Sequence, residues 1–284
     1  MDLLVNEWTA YQKENSKKIL RDDGYDFDVD KIKYVGGLDI SFNKDDKTDN
    51  CAYITIIDYQ TDEIVYEDYE KVNLTVPYIS GFLGFREVPV YTILLNRLKL
   101  HKPKYYPDVL LIDGFGVLHH REFGSASHLG LVADIPTIGV AKTMLYHDGL
   151  DEKLIKKEFE SKCKSKGDYI ELVGTSGTKY GVALRSTNET TNPIYVSIGH
   201  KIGMKSTIKI VSKLCQYRIP EPIRISDIKS RKLGGHVFVG GRLRRRAWPG
   251  DLSAGQSAQP EPTLVPAPVR HARRGFFLLQ QQRH

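Results

Sequence analysis

Two short apolar runs, VLLID at 109–113 and TIGVA at 137–141, constrain the fold of this chain more than any other feature. Neither run alternates between apolar and polar residues, as a strand with one solvent-facing side does. Continuous apolar runs of this length are typical of strands that are buried on both faces, as in parallel sheets covered by helices. Helical spacing precedes the first run at 86–101, and a short helix is predicted between the runs at 125–133. The sequence therefore predicts parallel strands with crossover helices.

A three-stranded meander is predicted before these parallel strands. Its strands lie at 34–42, 51–58 and 64–73, and short polar turns join them, so neighbouring strands must be antiparallel. The other predicted elements are a charged helix at 151–166, a β-rich stretch at 169–198 and a helix near 203–215. This order is that of a ribonuclease H-like sheet, an α/β fold with a mixed sheet flanked by helices. The order alone does not identify a function, because one fold hosts many functions.

The composition of the chain changes near residue 233. Residues 233–284 contain no Lys, Ile, Asn or Tyr and are rich in Arg, Pro and Gly. Eight arginines and two acids give this segment a net charge of +6, which equals that of the whole chain, so residues 1–232 are neutral. Any nucleic-acid site in 1–232 must then be a local patch or be made positive by metal ions. We predict a folded domain at 1–232 and a mostly disordered tail at 233–284, with an RNA-binding Arg tail as the alternative.

Several classes of protein do not fit the composition. No stretch approaches the ~18 apolar residues of a membrane helix, and the N-terminus becomes polar too early for a secretory signal. We therefore expect an intracellular protein, and by default a monomer. Cys51, Cys163 and Cys215 are odd in number, far apart and form no CxxC pair. This predicts buried thiols rather than a zinc knuckle or a disulfide framework.

Two aspartates lie within apolar strand sequences, where an ionised carboxylate is costly unless it is paired or binds a cation. Asp39 lies in GGLDISF, on the strand face opposite Leu38 and Ile40. Asp113 ends VLLID, at the sheet edge where α/β folds bind ligands. The two strands can be neighbours, and this would bring both carboxylates to one place.

Glu87 and Asp227 are two further acids in suitable contexts. Glu87 opens the helix at 86–101, and Asp227 lies in RIPEPIRISD. Mg²⁺ prefers oxygen ligands, and paired ions ~3.5–4 Å apart activate water and stabilise the leaving oxygen in phosphodiester hydrolysis. Taken singly, each of these two acids is better explained as a cap, a surface charge or an ion-pair partner.

The motifs of the chain resemble those of the endonuclease V family. They are, in family order, GGLDISF (36–42), PYISGFLGFRE (77–87), LLIDGFGVLHHREFGSASHLG (110–130), GVAK (139–142), SIGHKI (197–202) and RIPEPIRISD (218–227). The second and third motifs are long and unusual, and the resemblance covers roughly residues 20–231. It implies a ribonuclease H-like fold and an endonuclease V-like catalytic domain at 1–232. It also implies dependence on Mg²⁺, for which Mn²⁺ substitutes, and hydrolysis of the phosphodiester one linkage 3′ of an inosine nucleotide. We expect the protein in the cytoplasm and the nucleus.

The resemblance also implies roles for five charged residues. Asp39, Glu87 and Asp113 correspond to the metal-binding acids, and Asp227 corresponds to a fourth acidic or histidine position. Lys142 corresponds to a lysine near the scissile phosphate and the attacking water. An ammonium group there stabilises the charge of a pentavalent phosphate. The alternative for Lys142 is to neutralise the carboxylate cluster.

The predicted substrate contacts follow from the same motifs. Tyr78 lies in the segment that resembles the strand-separating wedge, where an exposed aromatic ring stacks on an unstacked base. Its alternative is burial with Phe82 and Phe85. A tight pocket lined by backbone would exclude the exocyclic amine of guanine, because glycine lets the backbone come close; alternatively the glycines only make turns. The candidate pocket residues are Gly81, Leu83, Gly114, Gly116, Gly124 and Ser125.

Three histidines cluster in the 110–130 motif: His119, His120 and His128. A zinc site is not favoured, because adjacent side chains diverge and no second metal-like pair follows. By motif, His119 corresponds to a family histidine near the active site. His120, Phe115 and Ser80 depart from the pattern of other members. These departures favour the eukaryotic relatives, which the resemblance associates with inosine in RNA.

Lysines recur every four residues at 201, 205, 209 and 213. They predict either a basic stripe that follows a phosphate backbone or an ordinary solvated helix face.

The sequence favours a hydrolase that cuts inosine-containing single-stranded RNA and recognises its 2′-hydroxyl groups. The alternatives are a repair endonuclease specific for deoxyinosine in DNA, and a non-catalytic nucleic-acid-binding module of the same fold. A dinucleotide-binding oxidoreductase is excluded because GxGxxG is incomplete: the residue three after Gly116 is His119.

Overall fold

The computed structural model describes residues 2–24, 27–42, 50–73, 76–234, 236–239 and 242–245. Their helices are α1 (Asp2–Asn15), α2 (Gly84–His101), α3 (Ser125–Ala133), α4 (Glu152–Lys162), α5 (Met204–Leu214) and α6 (Glu221–Leu233). Their strands are β1 (Tyr34–Ser41), β2 (Asn50–Asp58), β3 (Ile64–Val72), β4 (Val109–Asp113), β5 (Thr137–Ala141), β6 (Tyr169–Val173), β7 (Lys179–Leu184), β8 (Ile194–His200), β9 (His236–Val239) and β10 (Arg242–Arg245).

The first eight strands form one mixed sheet in the order β3-β2-β1-β4-β5-β8-β7-β6. β1, β2 and β3 are antiparallel neighbours, which confirms the predicted meander. β4 is parallel to β1 and to β5, which confirms the two buried parallel strands. β8, β7 and β6 continue the sheet as antiparallel strands. The predicted α/β fold with a mixed sheet flanked by helices is therefore confirmed.

Helices cover both faces of the sheet, which explains the apolar runs. On one face, Leu110 and Ile112 of β4 belong to a core cluster with Leu94 of α2. On the other face, Leu111 belongs to a cluster with Val211 of α5. Because successive side chains of a strand point to opposite faces, a strand covered on both sides is apolar at every position.

Two helices, α1 and α6, are not predicted by the sequence analysis. α1 buries polar residues, Gln12 and Asn15, so it lacks a clear apolar stripe. α6 has Pro222 in its first turn, where a proline costs no hydrogen bond because that N–H has no partner within the helix. The charged helix predicted at 151–166 ends earlier, at Lys162.

Lysines along α5 contact the protein instead of forming a basic stripe open to a ligand. Lys209 pairs with Asp30 at 2.7 Å, and Lys213 lies 3.8 Å from the centre of the Tyr59 ring. Lys201, which precedes the helix, pairs with Asp134 at 2.6 Å. These contacts favour the ordinary helix face over the phosphate-tracking stripe.

The predicted thiols and tail have different outcomes. Cys51, Cys163 and Cys215 are buried thiols, as predicted. Of the tail at 233–284, the structure describes the end of α6 and the antiparallel pair β9 and β10. The rest of the tail lies outside the described residues, so its disorder stays a prediction. None of the described helices is both long and apolar enough to cross a membrane.

Candidate active site

Three parallel strands carry a charged side chain near the same edge of the sheet: Asp39 lies two residues before the end of β1, Asp113 ends β4 and Lys142 follows β5. Leu38 of β1 is in register with Ile112 of β4, so the next residues, Asp39 and Asp113, lie on neighbouring strands. Asp113 is in turn in register with Val140 of β5. Lys142 directly follows this strand in the chain. The predicted pairing of the two strands that carry the aspartates is confirmed.

Asp39 is buried among charges of its own sign. It is 7% exposed, and Ser230 of α6 donates a hydrogen bond of 3.0 Å to its Oδ2. Burial, reinforced by the charges of Asp113 and Asp227, raises the pKa of Asp39 to about 7. Holding this carboxylate ionised at neutral pH therefore requires additional positive charge.

α6 approaches β1 unusually closely and is fixed there by two serines. A Cβ on Gly37 would lie 2.4 Å from the carbonyl oxygen of Pro222, so only glycine fits at this strand position. The Ser226 hydroxyl donates to the Gly37 carbonyl at 3.0 Å. One turn later, the hydroxyls of Ser230 and Ser41 lie 2.6 Å apart. This anchoring brings Asp227, which lies between the two serines on α6, to the sheet edge.

Lys142 and Arg231 neutralise two of the acids. The Lys142 Nζ lies 2.6 Å from Asp113 Oδ2 and 4.0 Å from Asp227 Oδ2. Arg231 donates from Nε to Asp227 Oδ1 at 2.6 Å. Burial disfavours the charge of Lys142, but the carboxylates of Asp113, Asp227 and Asp39 outweigh it and raise its pKa. The lysine is therefore firmly cationic at neutral pH.

Glu87 approaches the cluster from the first turn of α2. It is 3% exposed, and its Oε2 is buried with no hydrogen-bond partner among the described residues. Burial, with the charges of Asp39 and Asp113, raises the pKa of Glu87 well above its ordinary value, and a hydrogen bond from Ser125 offsets part of this rise. An orphaned, buried carboxylate oxygen is costly, and a cation at this position would satisfy it.

The donor set fits a hard divalent cation in its chemistry. The acids offer only oxygen ligands, which such ions prefer, and their mutual repulsion is what a cation would relieve. In the present side-chain arrangement, no three His, Cys, Asp or Glu of the described ranges form a group able to hold one ion. Lys142 and Arg231 contact the carboxylates of Asp113 and Asp227 directly, so binding an ion requires these side chains to turn.

A pocket of about 170 Å³ adjoins the acids. Ser125 connects the two, because it lines the pocket and its Oγ would lie 2.6 Å from a Cβ on Gly114, the residue after Asp113. The pocket brings together the predicted residues Tyr78, Gly81, Leu83, His119, Gly124 and Ser125. It is also lined by residues that are not predicted from the sequence as contacts: Gln12, Ser80, Gly84, Phe115, Thr143 and Leu145.

Gly114 and Gly116 lie behind the pocket lining. A Cβ on Gly116 would lie 2.0 Å from the carbonyl oxygen of Ile198, so this glycine lets its loop pack against β8. Gly114 has φ +149°, and a Cβ there would lie 2.6 Å from Ser125 Oγ. Gly114 therefore leaves room for the side chain of Ser125, which lines the pocket.

His119 is a buried, neutral histidine in the pocket wall. The Arg121 amide donates to its Nδ1 at 3.2 Å, so the proton lies on Nε2, which donates to the Gly81 carbonyl at 3.0 Å. Burial, with the nearby charges of His120 and Arg121, lowers its pKa to about 3. His119 therefore holds two loops together and stays uncharged at neutral pH.

Tyr78 does not join the neighbouring aromatic cluster. It is 68% exposed, whereas Phe82 is 5% exposed, and Phe85 stacks on Trp8 with ring centres 4.6 Å apart. The alternative of burial with the two phenylalanines is wrong for Tyr78. Its ring stands at the pocket, available to a ligand.

Some lining residues had a sequence signal and others had none. Thr143 and Leu145 directly follow GVAK, so the lysine motif already marked their loop. Phe115 lies inside the 110–130 motif. Gln12 lies in α1, outside every motif, and reaches the pocket only through the packing of that helix.

A ribonuclease H-like sheet with buried acids and a lysine at its carboxyl edge, beside a small pocket, has the architecture of a phosphodiester-cleaving nuclease. The Endonuclease V family model matches residues 13–228. The chain belongs to the endonuclease V family. It is therefore an enzyme, a hydrolase of the endonuclease type.

Individual relatives agree with this assignment. Human Endonuclease V is 45% identical over 201 residues, which are 71% of this chain and 71% of the human protein. Mouse Endonuclease V is 46% identical over 201 residues, and the match spans 71% of this chain but only 60% of the mouse protein.

Solved structures confirm the ribonuclease H-like fold. The catalytic domain of human Endonuclease V, with four cysteines substituted, has a TM-score of 0.78 at 40% identity and covers 82% of this chain and 96% of that one. A Ciona intestinalis Endonuclease V variant has a TM-score of 0.79 at 36% identity and covers 82% and 98%. That structure contains a 23mer DNA with an inosine followed by a ribo-adenosine.

Proposed function

We propose that this enzyme hydrolyses the phosphodiester one linkage 3′ of an inosine nucleotide in single-stranded RNA. The observation that carries the proposal is the residue shared by the two parts of the site: Ser125 lines the pocket, and its Oγ lies against Gly114, the residue after Asp113 of the acid cluster. A base in the pocket would thus place its own strand beside the acids. The cation is Mg²⁺, with Mn²⁺ as a substitute, and its protein ligands are Asp39, Glu87, Asp113 and Asp227.

The residues of the chain have separate tasks in this reaction. When bound, the cation lowers the pKa of a water and stabilises charge on the leaving oxygen. Lys142, already cationic and directed at Asp113, supplies an ammonium that stabilises the charge developing on the phosphate. Ser230 holds Asp39 by its Oδ2, so this carboxylate is oriented before any ligand arrives.

The pocket suits hypoxanthine in size and in wall chemistry. Its wall includes Gly81 and Gly124, which bring backbone against a bound base. Guanine differs from hypoxanthine by one exocyclic amine, which such a wall excludes sterically. Tyr78, exposed at the pocket, is placed to stack where the neighbouring base is unstacked.

RNA is the first candidate because the motifs resemble those of eukaryotic members, which the resemblance associates with inosine in RNA. Identity is 45% with the human protein but 33% with that of Bacillus thuringiensis, in line with the eukaryotic character of the 110–130 motif. Deoxyinosine in DNA is the second candidate, because the strand bound by the Ciona relative is DNA apart from the ribo-adenosine after its inosine. We further propose that the enzyme acts as a monomer in the cytoplasm and nucleus.

Matched single strands test the proposal. Three end-labelled single strands have the same sequence and differ at one position: an RNA with inosine, a DNA with deoxyinosine and an RNA with guanosine. Each strand is incubated with the enzyme in the presence of Mg²⁺ or of a chelator. We expect Mg²⁺-dependent cutting of the inosine RNA first, one linkage 3′ of the inosine. Cutting of the deoxyinosine strand alone would make the enzyme a DNA-repair endonuclease, and cutting of the guanosine strand at the same rate would refute the inosine pocket.

A pair of aspartate variants controls this experiment. Asp113→Asn removes a charge from the acid cluster, and we expect it to abolish cutting while the strand still binds. Asp134→Asn removes a charge from an exposed residue at the end of α3, and we expect wild-type cutting. Metal-dependent cutting by Asp113→Asn at the wild-type rate would show that the cation site lies elsewhere.

A further inference from the structure

Helix α1 contributes one buried polar side chain to the pocket. Gln12 is 3% exposed and lines the pocket. Its Nε2 donates to the Gly81 carbonyl at 3.0 Å and to the Phe123 carbonyl at 2.9 Å, while its Oε1 accepts from Arg121 Nε. Carbonyls only accept and a guanidinium only donates, so these contacts fix the orientation of the amide. Both donors of Gln12 are used on backbone.

The two carbonyls belong to two different segments around the pocket. Gly81 lies in the segment between Tyr78 and α2, and Phe123 directly precedes Gly124, which caps α3 and lines the pocket. One amide therefore connects the two segments that form the backbone walls. Gln12 is the side chain of α1 that helps to set the spacing between the walls, beside His119 and Arg121.

The Gly81 carbonyl is saturated with donors. It accepts from Gln12 Nε2, His119 Nε2 and Arg121 Nη2, each at 3.0 Å. A carbonyl oxygen has two lone pairs, so three donors leave it no capacity for a ligand. The position of the loop is also constrained, because Gly81 has φ +80° and a Cβ there would lie 2.5 Å from the His120 ring.

A saturated carbonyl in the wall matters for the choice of base. The group that distinguishes guanine from hypoxanthine is a hydrogen-bond donor, and an unsaturated carbonyl in the wall would accept from it. With its lone pairs taken, the Gly81 carbonyl offers this amine no partner, and burying an unpaired donor is penalised.

We propose that Gln12 is a positioning residue that determines base specificity. It holds the backbone at Gly81 and Phe123, keeps the pocket narrow and, together with His119 and Arg121, denies guanine the Gly81 carbonyl as an acceptor. The inference rests on the proposed function, since it concerns how the same pocket rejects guanosine. Gln12 acts through backbone groups and takes no part in the hydrolysis.

The test measures base selectivity in binding, without cleavage. The Kd of single strands that differ only by inosine or guanosine is measured by fluorescence anisotropy with excess chelator, and the ratio of the two values is the readout. The variant is Gln12→Met, which keeps the side-chain volume and removes the amide. Losing the brace leaves the Phe123 carbonyl without its Gln12 donor and lets the two segments move apart. This should lower the guanosine-to-inosine Kd ratio about tenfold, mostly through tighter binding of guanosine.

Two variants on the same helix separate positioning from helix packing. Trp8→Ala removes the ring that stacks on Phe85 and loosens α1 without touching the amide. Asn15→Ala removes a buried side chain that bonds within the helix, to the Tyr11 carbonyl at 2.8 Å. Both should lower Tm and leave the Kd ratio within about twofold of wild type, because neither side chain bonds to the pocket backbone.

A second variant tests the same carbonyl from another direction. Arg121→Met removes a donor to Gly81 and the donor that orients the Gln12 amide. It should therefore loosen the same brace and shift the Kd ratio in the same direction as Gln12→Met, and it serves if Gln12→Met does not fold. An unchanged ratio in the folded variant, or an equal loss of selectivity in Trp8→Ala, overturns the role of Gln12. A wild-type ratio near one overturns the proposed function as well, which distinguishes the two failures.

Discussion

The Nζ of Lys142 lies 2.6 Å from Oδ2 of Asp113, so the residue after β5 neutralises the carboxylate that ends β4. Lys142 thus contributes positive charge to a cluster of acids that includes Asp39 and Asp227. The contact offsets part of the repulsion among the carboxylates. The lysine has two candidate roles, neutralising the acids and stabilising the phosphate. The two roles predict opposite effects on metal binding when the lysine is removed.

Lys142→Met should slow cleavage of an inosine strand about 10²-fold or more, as expected for the loss of a preorganised charge at a reacting centre. Because the acids lose a competing cation, Mn²⁺ should bind at least as tightly as in wild type. Single-turnover rates and Mn²⁺ titration by calorimetry measure the two effects. Lys205→Met, on the exposed face of α5, controls for charge. Weaker Mn²⁺ binding in Lys142→Met would contradict this account.

Asp39→Asn should stabilise the metal-free protein increasingly as pH rises. The folded pKa of Asp39 is about 7, above the ordinary value of 3.8, so the folded state binds this proton more tightly than the unfolded state. Its contribution to stability is present below about pH 4 and is lost as pH rises through about 7. Each tenfold difference in proton affinity between the two states corresponds to about 1.4 kcal/mol.

The measurement is the difference in unfolding free energy between Asp39→Asn and wild type, from urea melts with chelator at pH 5 to 8. Buried histidines such as His119, whose pKa is lowered, act oppositely but equally in both proteins and cancel in the difference. A flat curve for Asp39→Asn would show that burial does not disfavour the ionised carboxylate.

Tyr78→Ala should weaken strand binding without affecting the fold. Its ring is 68% exposed, so little packing is lost and Tm should stay within about 2 °C of wild type, the effect of a surface substitution. Stacking on a base is worth about 1–3 kcal/mol, so the Kd of an inosine strand should rise about tenfold. Tyr169→Ala, on edge strand β6, should leave Kd unchanged, and an equal loss in both variants would refute a specific stack.

Gly37→Ala should weaken the packing of α6 against β1 and thereby displace Asp227. The new Cβ would lie 2.2 Å from the backbone carbon of Pro222, so the helix must move away from β1. Overpacking of this kind costs about 1–3 kcal/mol, and cleavage should fall by more than the loss of folded protein explains. Gly24→Ala has nothing within 4 Å of its added Cβ and should change neither Tm nor rate. Wild-type cleavage by Gly37→Ala would show that the position of α6 is unimportant.

Local patterns were sufficient for the elements that carry the acids. VLLID predicts its strand because a strand covered on both faces must be apolar throughout, and Asp113 stands out at its end. The motif around Asp39 likewise predicts β1, with Leu38 and Ile40 on the face opposite the carboxylate. The family resemblance then assigns tasks to these residues and to Lys142, which no periodicity provides.

Other parts of the site depend on contacts between distant segments, and no local pattern encodes them. α6 is not predicted because its prolines resemble a loop, yet Gly37 and Ser226 hold it against β1. Gln12 is distant from the pocket motifs in sequence, and 69 positions separate it from the carbonyl of Gly81 that it holds.

The sequence by itself determined the strands at the centre of the sheet, the candidate acids and lysine, and the membership of the endonuclease V family. These follow from alternation, burial and short motifs, which are local properties of the chain. Only the tertiary structure decided which side chains meet: Lys142 with Asp113, Ser230 with Asp39, and Gln12 with the backbone of Gly81 and Phe123. The physical reason is that hydrogen bonds, charge repulsion and desolvation act over a few ångströms in space, whatever the separation of the residues along the chain.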